Sequence, residues 1–298
     1  MDPQWDDLKV FLAVARVESL SGAGKLLKVD PATVGRRVAR LERALEVPLF
    51  SKSPTGYILT PEGQRLMAHA LRAEQVMQSA SEDMAGQGGA LSGQIRLGAP
   101  DGSANFLLPQ VCNEIVAQNP ELEIQIVALP RIFNLSKREA DMAITVSRPE
   151  AGRLLVSKLS DYRLHLAAST DYLRKHGPIN RMSDLRDHRI VGYIPDMIFD
   201  KELDYLRGHG FDRVGLASNS VSVQLNWIRS GGGVGVVHDF ALPAVTGVRK
   251  ILTDAFSLTR AFYLVRHEDD RRLERLNRFA ALLADGVRRE VARLERLT

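Results

Sequence analysis

Val29-Asp30-Pro31-Ala32-Thr33-Val34-Gly35-Arg36-Arg37-Val38-Ala39-Arg40-Leu41-Glu42-Arg43-Ala44-Leu45 is the stretch on which the N-terminal architecture turns. Asp30 is a good helix N-cap, and Pro31 has the fixed backbone angle suited to a first helical position. Val34, Val38, Leu41 and Leu45 fall on one side of such a helix and predict its core face. Thr33, Arg36, Arg40 and Arg43 cluster opposite, with Arg37 at the boundary. A basic outer face alone also suits a merely solvated amphipathic helix, so the neighbouring segments must decide.

Upstream, Trp5, Leu8, Leu12 and Ala15, with Phe11 beside them, predict a first helix with one buried stripe. Ser19 through Leu27 predicts a short second helix with Ser21 as N-cap, and Ala23 and Gly24 are small enough for another helix to approach closely. A short helix, a tight turn and a helix with a basic face make a helix-turn-helix, whose second helix fits the DNA major groove. Downstream, Leu49 through Thr60 reads as a β-hairpin turning at Pro54 and Gly56; Lys52, Ser53 and Thr55 at its tip can reach phosphates as a wing. Thr60-Pro61-Glu62 then opens a further helix. Along it Leu66, Ala70, Ala73, Met77, Ala80 and Met84 recur at heptad spacing, which predicts a dimerisation seam; the same stripe could also cover the helix's own domain.

The chain has 298 residues, 40 Lys+Arg and 36 Asp+Glu, a formal charge of +4 that says little about partners. Its distribution says more: residues 25–60 carry seven bases against three acids between acidic neighbours. The length suggests two domains, one small, and 45% hydrophobic residues exclude wholesale disorder. There is no apolar run long enough to cross a bilayer and no secretory signal pattern at the acidic start, so a cytoplasmic location is expected. The single cysteine, Cys112, cannot form an internal disulfide and sits beside Val111 and Ile115 as packing. The histidines lack metal-ligand spacing and no nucleophile motif occurs, so neither metal, cofactor nor catalytic residue is expected. Gly231-Gly232-Gly233-Val234-Gly235 follows a helix and feeds a strand, the reverse of a dinucleotide-binding loop, and predicts a helix C-cap with a close-packed turn.

Leu8 through Ala15, Ser19-Leu20-Ser21, Ala23-Gly24, Val29 through Glu42, Val47-Pro48-Leu49-Phe50 and Leu59-Thr60-Pro61-Glu62-Gly63 form one ordered series. In this series the chain resembles the LysR-type transcriptional regulators. The resemblance implies operator DNA bound by a homodimer or dimer of dimers, a small-molecule effector, and RNA polymerase as a further partner. The chain departs from the family at Gly22-Ala23-Gly24, where a small-Ala-Ala segment is usual. It departs again at Asp30-Pro31, where Ser-Gln is usual, and at Gly35, commonly Ser. Because proline cannot replace the bidentate amide of Gln, base readout is expected to lean on Thr33, Arg36, Arg37 and the Ala32 methyl. Ser21, Pro31, Arg40, Lys52, Ser53 and Thr55 complete the expected DNA-contacting set.

Beyond the Gly-rich segment 86–93, strand and helix patterns alternate, which implies a mostly parallel sheet with helices on both faces. Helices are expected at Phe106–Gln118 and near 170–176, 200–208 and 221–229; strands include Arg189–Ile194 and Val214–Ala217. The C-terminal Arg-rich stretch carries Leu273, Leu276, Phe279, Leu282 and Leu283 at helical spacing. The expected fold class is α/β with an all-α-type winged helix-turn-helix domain (1–60) and a linker, dimerisation helix and hinge (61–90). A two-subdomain, periplasmic-binding-protein-like effector domain follows (91–298), with subdomain I about 91–162 plus 264–298 and subdomain II about 163–263. The resemblance implies an effector in the cleft between subdomains. Position after strands and before helices nominates Asp101, Gly102, Ser103, Pro130, Arg131, Ser147, Tyr193, Ile194, Ser220, Val221 and Ser222, a set of free amides and hydroxyls suited to an anion. The competing expectation is a small-molecule-binding or catalytic α/β protein whose helical N-terminus serves only for assembly.

Overall fold

A computed structural model of the chain describes residues 2–53, 56–84, 90–128, 140–206, 208–209 and 213–298. Thr55, Pro130 and Arg131 lie outside the described residues, as do the side chains of Lys52, Ser53 and Met84. Two compact units divide the chain, Met1–Gly88 and Gly89–Thr298.

The first unit runs α1 (Trp5–Val17), α2 (Leu20–Leu27), α3 (Pro31–Leu45), β1 (Phe50–Ser53), β2 (Gly56–Leu59) and α4 (Pro61–Met84). Asp30 caps α3 as expected, accepting a 2.6 Å hydrogen bond from the Ala32 amide. The cap of α2 is Ser19, not Ser21: Ser19 has extended backbone and accepts from the Gly22 amide, whereas Ser21 lies within the helix with its side chain exposed. Val34, Val38 and Leu41 are buried against Val10, Val14, Ala23, Phe11 and Leu12, each such side chain contributing about 1.5–3 kcal/mol of transfer free energy. Glu42 ties α3 to the hairpin by accepting from the amides of Leu49 (2.7 Å) and Phe50 (3.2 Å). At the start of α4, Thr60 accepts from the Gly63 amide (3.0 Å), and any Cβ on Gly63 would stand 2.1 Å from the Leu49 carbonyl oxygen.

Two residues expected elsewhere belong to this core. Ala70 is 1% exposed, packed with Phe11, Leu12, Leu41 and Leu49, and Leu66 packs against the same cluster. The first turns of α4 therefore cover their own domain, and the side chains of the expected seam that remain exposed are Met77 and Ala80, with Ala73 half-buried.

The second unit runs β3 (Gly93–Ala99), α5 (Asp101–Phe106), α6 (Leu108–Gln118), β4 (Leu122–Ala128), β5 (Met142–Thr145), β6 (Leu154–Ser169), α7 (Thr170–His176) and β7 (Ile190–Gly192). It continues with β8 (Leu216–Ala217), α8 (Val221–Arg229), β9 (Val234–His238), β10 (Val248–Ile251), β11 (Leu258–His267) and α9 (Glu274–Glu295). The nine-stranded sheet has the order β4-β3-β5-β11-β6-β9-β7-β8, with β10 also paired to β6. Parallel flanks, β3 with β4 and β5 on one side and β7 with β8 and β9 on the other, are joined by the long antiparallel pair β6 and β11. These two cross from one flank to the other in register, with Ala261 opposite Asp161. The helix expected at 106–118 is two helices separated at Leu107, and the one near 200–208 is a single 3-10 turn, Lys201–Leu203. Gly231 and Gly233 have φ of +80° and +153°, and a Cβ on Gly233 would meet the Arg189 carbonyl oxygen at 2.2 Å, which accounts for the Gly-rich turn as a packing device. Cys112 is buried in the core and desolvation pushes its thiol up to about 11, so it stays protonated.

Candidate nucleic-acid interface and ligand cleft

On α3 the exposed surface begins at Pro31 and Ala32 and continues through Arg36 and Arg43, with Thr33 and Arg37 half-exposed. The Arg36 guanidinium donates to the Thr33 hydroxyl at 2.9 Å, one turn back on the same face. Two side chains suited to base edges are thus held side by side at the start of the helix. Arg40 does something else. Its guanidinium forks onto the carboxylate of Asp7, which is 1% exposed, with Nε to Oδ2 at 2.6 Å. A buried carboxylate on α1 needs that partner, so Arg40 is committed to holding α3 against α1. The hairpin docks where the Tyr57 amide donates to the Glu18 carbonyl at 2.9 Å.

In the second unit, Asp101, Gly102, Ser103, Tyr193 and Val221 come together around a cavity between the two flanks. Its volume, about 20 Å³, holds roughly one water. Ser220 and Ser222 adjoin it, while Ile194 does not line it. Ser147 faces an open depression of about 720 Å³ along the crossing strands, where it donates to Asp200.

The amides at the start of α8, expected to be free, are occupied. Asp101 Oδ2 accepts from the Ser222 amide (2.9 Å), the Ser222 hydroxyl (3.1 Å) and the Ser220 hydroxyl (3.1 Å), and Oδ1 accepts from Asn105 (3.2 Å). A carboxylate from one flank thereby sits on the positive end of a helix from the other.

Position in the sequence did not reveal the rest of the lining, Tyr205 and His238 above all. Tyr193 and Tyr205 meet edge-on at 5.8 Å between ring centroids, and Tyr205 meets His238 likewise at 6.0 Å. Behind them Tyr162 stacks on Phe262 at 4.1 Å and on His238 at 5.4 Å. Burial holds Tyr162, Tyr193 and Tyr205 protonated well above the ordinary phenol range. It pushes His238 down to about 4, against a smaller opposing pull from Asp239, so the imidazole is neutral near pH 7. His238 Nε2 lies 3.4 Å from the Tyr205 hydroxyl, and Nδ1 is buried without a hydrogen-bond partner.

A family model described as bacterial regulatory helix-turn-helix protein, lysR family, matches residues 5–64, and one described as LysR substrate binding domain matches residues 88–288. The chain belongs to the LysR family. It is a transcription regulator, not an enzyme, with a helix-turn-helix that binds DNA and an effector-binding domain. Among curated LysR-family relatives, the regulator DgdR of Burkholderia cepacia is 29% identical over 250 residues, covering 80% of this chain and 79% of that one. The probable regulator SinR of Salmonella typhimurium is 28% identical over 239 residues, covering 78% and 76%. CrgA, a LysR-type transcriptional regulator from Neisseria meningitidis, shares the fold with a TM-score of 0.60 at 24% identity, over 95% of this chain and 98% of that one. LysG of Corynebacterium glutamicum, solved with bound effector Arg, has a TM-score of 0.60 at 18% identity, over 95% and 98%. Among the described residues no helix is long and apolar enough to cross a membrane, and no cluster of His, Cys, Asp or Glu could hold a metal ion.

Proposed function

We propose that this LysR-family chain reads operator DNA with the start of α3, through Ala32, Thr33, Arg36 and Arg37, as a dimer or dimer of dimers. A small molecule entering the cleft around Asp101 changes that binding. Residues 1–60 are the reader, 61–90 the assembly helix and hinge, and 91–298 the sensor, split near the crossing strands. The wing residues Lys52, Ser53 and Thr55, with Ser21, serve the phosphate backbone; the protein acts in the cytoplasm and hands its signal to RNA polymerase. The observation that carries this reading is the exposed Arg36 pinned to Thr33 beside a half-exposed Arg37, while Arg40, one turn on, is withdrawn to Asp7.

The test separates reader from scaffold. Intergenic DNA recovered with the protein is used in gel shifts with Arg36→Ala and Arg40→Gln. Arg36→Ala should cost about 1–3 kcal/mol of binding, with an unchanged melting temperature. Arg40→Gln should lower the melting temperature by several degrees, because it strands the buried Asp7 carboxylate. Unchanged affinity and selectivity in Arg36→Ala would remove α3 from the interface.

A further inference from the structure

The cavity around Asp101 has a charge character that the ordinary features of a helix-start site do not predict. Among the described residues of its lining, Asp101 is the one charged side chain. Where a helix N-terminus awaits an anionic ligand, the ligand supplies the negative charge. Here the chain supplies its own, and the four hydrogen bonds to the Asp101 carboxylate come from neutral donors. A carboxylate-bearing ligand would have to expel Asp101 from α8 and then lie beside it, like charge against like charge in a site of low dielectric. A ligand bearing an ammonium group faces the opposite situation. Its charged N–H groups can replace the Ser220 and Ser222 hydroxyls on Oδ2, and they add the attraction of an ion pair to hydrogen bonds whose acceptor is already ionised. The lining also includes the rings of Tyr193, Tyr205 and Phe262, and an aromatic ring suits an organic cation better than an anion. His238, whose Nδ1 is buried without a hydrogen-bond partner, belongs to the same lining and turns Cε1 and Nε2 toward Gly102.

We infer that Asp101 sets the charge class of the effector: the cleft takes a small organic cation, an amine whose ammonium pairs with Asp101, and excludes carboxylates. This rests on the ligand-cleft reading above. Because Ser220 and Ser222 lie on the other flank from Asp101, the amine that takes Asp101 also releases the clasp between the flanks. That release gives the closed cavity the room a ligand needs.

The experiment uses the full-length protein and two matched sets, butylammonium, butyramide and butyrate, and their phenyl-bearing counterparts, in thermal-shift and calorimetric titrations. Wild type should bind the ammonium member of a set and not its carboxylate. Asp101→Asn, which keeps the side chain's shape, should weaken the ammonium by roughly tenfold or more and favour the carboxylate. Ser222→Ala, which removes one competing hydroxyl, should bind the ammonium more tightly than wild type. Asp101→Ser serves as the second variant, with the same inversion expected. Carboxylate preference in wild type, or undiminished ammonium binding in both Asp101 variants, overturns the charge assignment and leaves the ligand cleft standing. Failure of every member on wild type and variants alike overturns the ligand cleft itself, and this inference with it.

Discussion

Arg36 and Arg40 are one turn apart on the same basic face, yet one is held for the exterior by Thr33 and the other is spent on Asp7. The sequence carried a signal for this that charge counting missed: Asp7 is an acid on the otherwise apolar stripe of α1, and a buried acid demands a cation. His238 gives a second residue-scale consequence. Its folded-state value, about 4, lies below its ordinary 6.5, so between these pH values the unfolded chain binds a proton that the folded chain refuses. The stability it contributes is complete above about pH 6.5 and is lost as pH falls toward 4, a loss of about 3 kcal/mol. His188, lowered by partial burial and by His176, adds in the same direction. Urea unfolding at stepped pH should show this decline in wild type and a clearly flatter profile in His238→Phe; equal slopes would mean the imidazole is protonated in the fold.

At the scale of elements, the helices announced themselves and their ends did not. The starts of α3 and α4 were legible because Asp30-Pro31 and Thr60-Pro61 are local chemistry, a cap followed by a preset backbone angle. The ends were silent, because α1, α2 and α3 stop on Glu18, Lys28 and Glu46 in the left-handed region, with φ of 53°, 56° and 56°, and not on glycine. The stripe on α4 was ambiguous for a related reason. A heptad stripe records that a face is buried, not by what, and Leu66 and Ala70 meet the core of their own domain. In the cleft, Asp101, Ser103 and the start of α8 were legible as strand and helix ends, whereas Tyr205 and His238 arrive through long-range folding with no local mark. Two glycines discriminate close approach from open space. Gly63→Ala should destabilise the first unit by about 1–3 kcal/mol, since its Cβ has nowhere to go but into the Leu49 carbonyl. Gly35→Ala should stabilise it by up to about 1 kcal/mol, because the added Cβ meets only Leu20 Cδ1 at 3.4 Å and α3 gains helix propensity. Thermal melts of both variants check the pair; equal effects would remove close packing as the reason for Gly63.

At the scale of the whole molecule, assembly must come from what the units leave uncovered. Val76 and Met77 on α4 are 53% and 50% exposed, a pair of large apolar side chains past the point where the helix leaves its own core. Met77→Asp should yield monomers in light scattering with the melting temperature little changed, and an intact dimer would place the interface elsewhere. The layout also dictates an order of events during synthesis. The helix-turn-helix, hairpin and first turns of α4 bury one another within the first 88 residues, so this unit can fold as soon as it leaves the ribosome. The sensing unit cannot. The start of its first strand is held by Arg275, which donates to the carbonyls of Ser92 at 2.9 Å and Gln94 at 3.3 Å, and α6 nests against Gly286 so closely that a Cβ there would stand 2.5 Å from Val111. Residues 92 and 111 therefore wait for α9, nearly two hundred positions later, before their flank is complete. Each nascent chain passes through a stage in which the nucleic-acid reader is finished and the small-molecule sensor is not. A chain cut short before α9 would carry a finished reader beside an unfinished sensor.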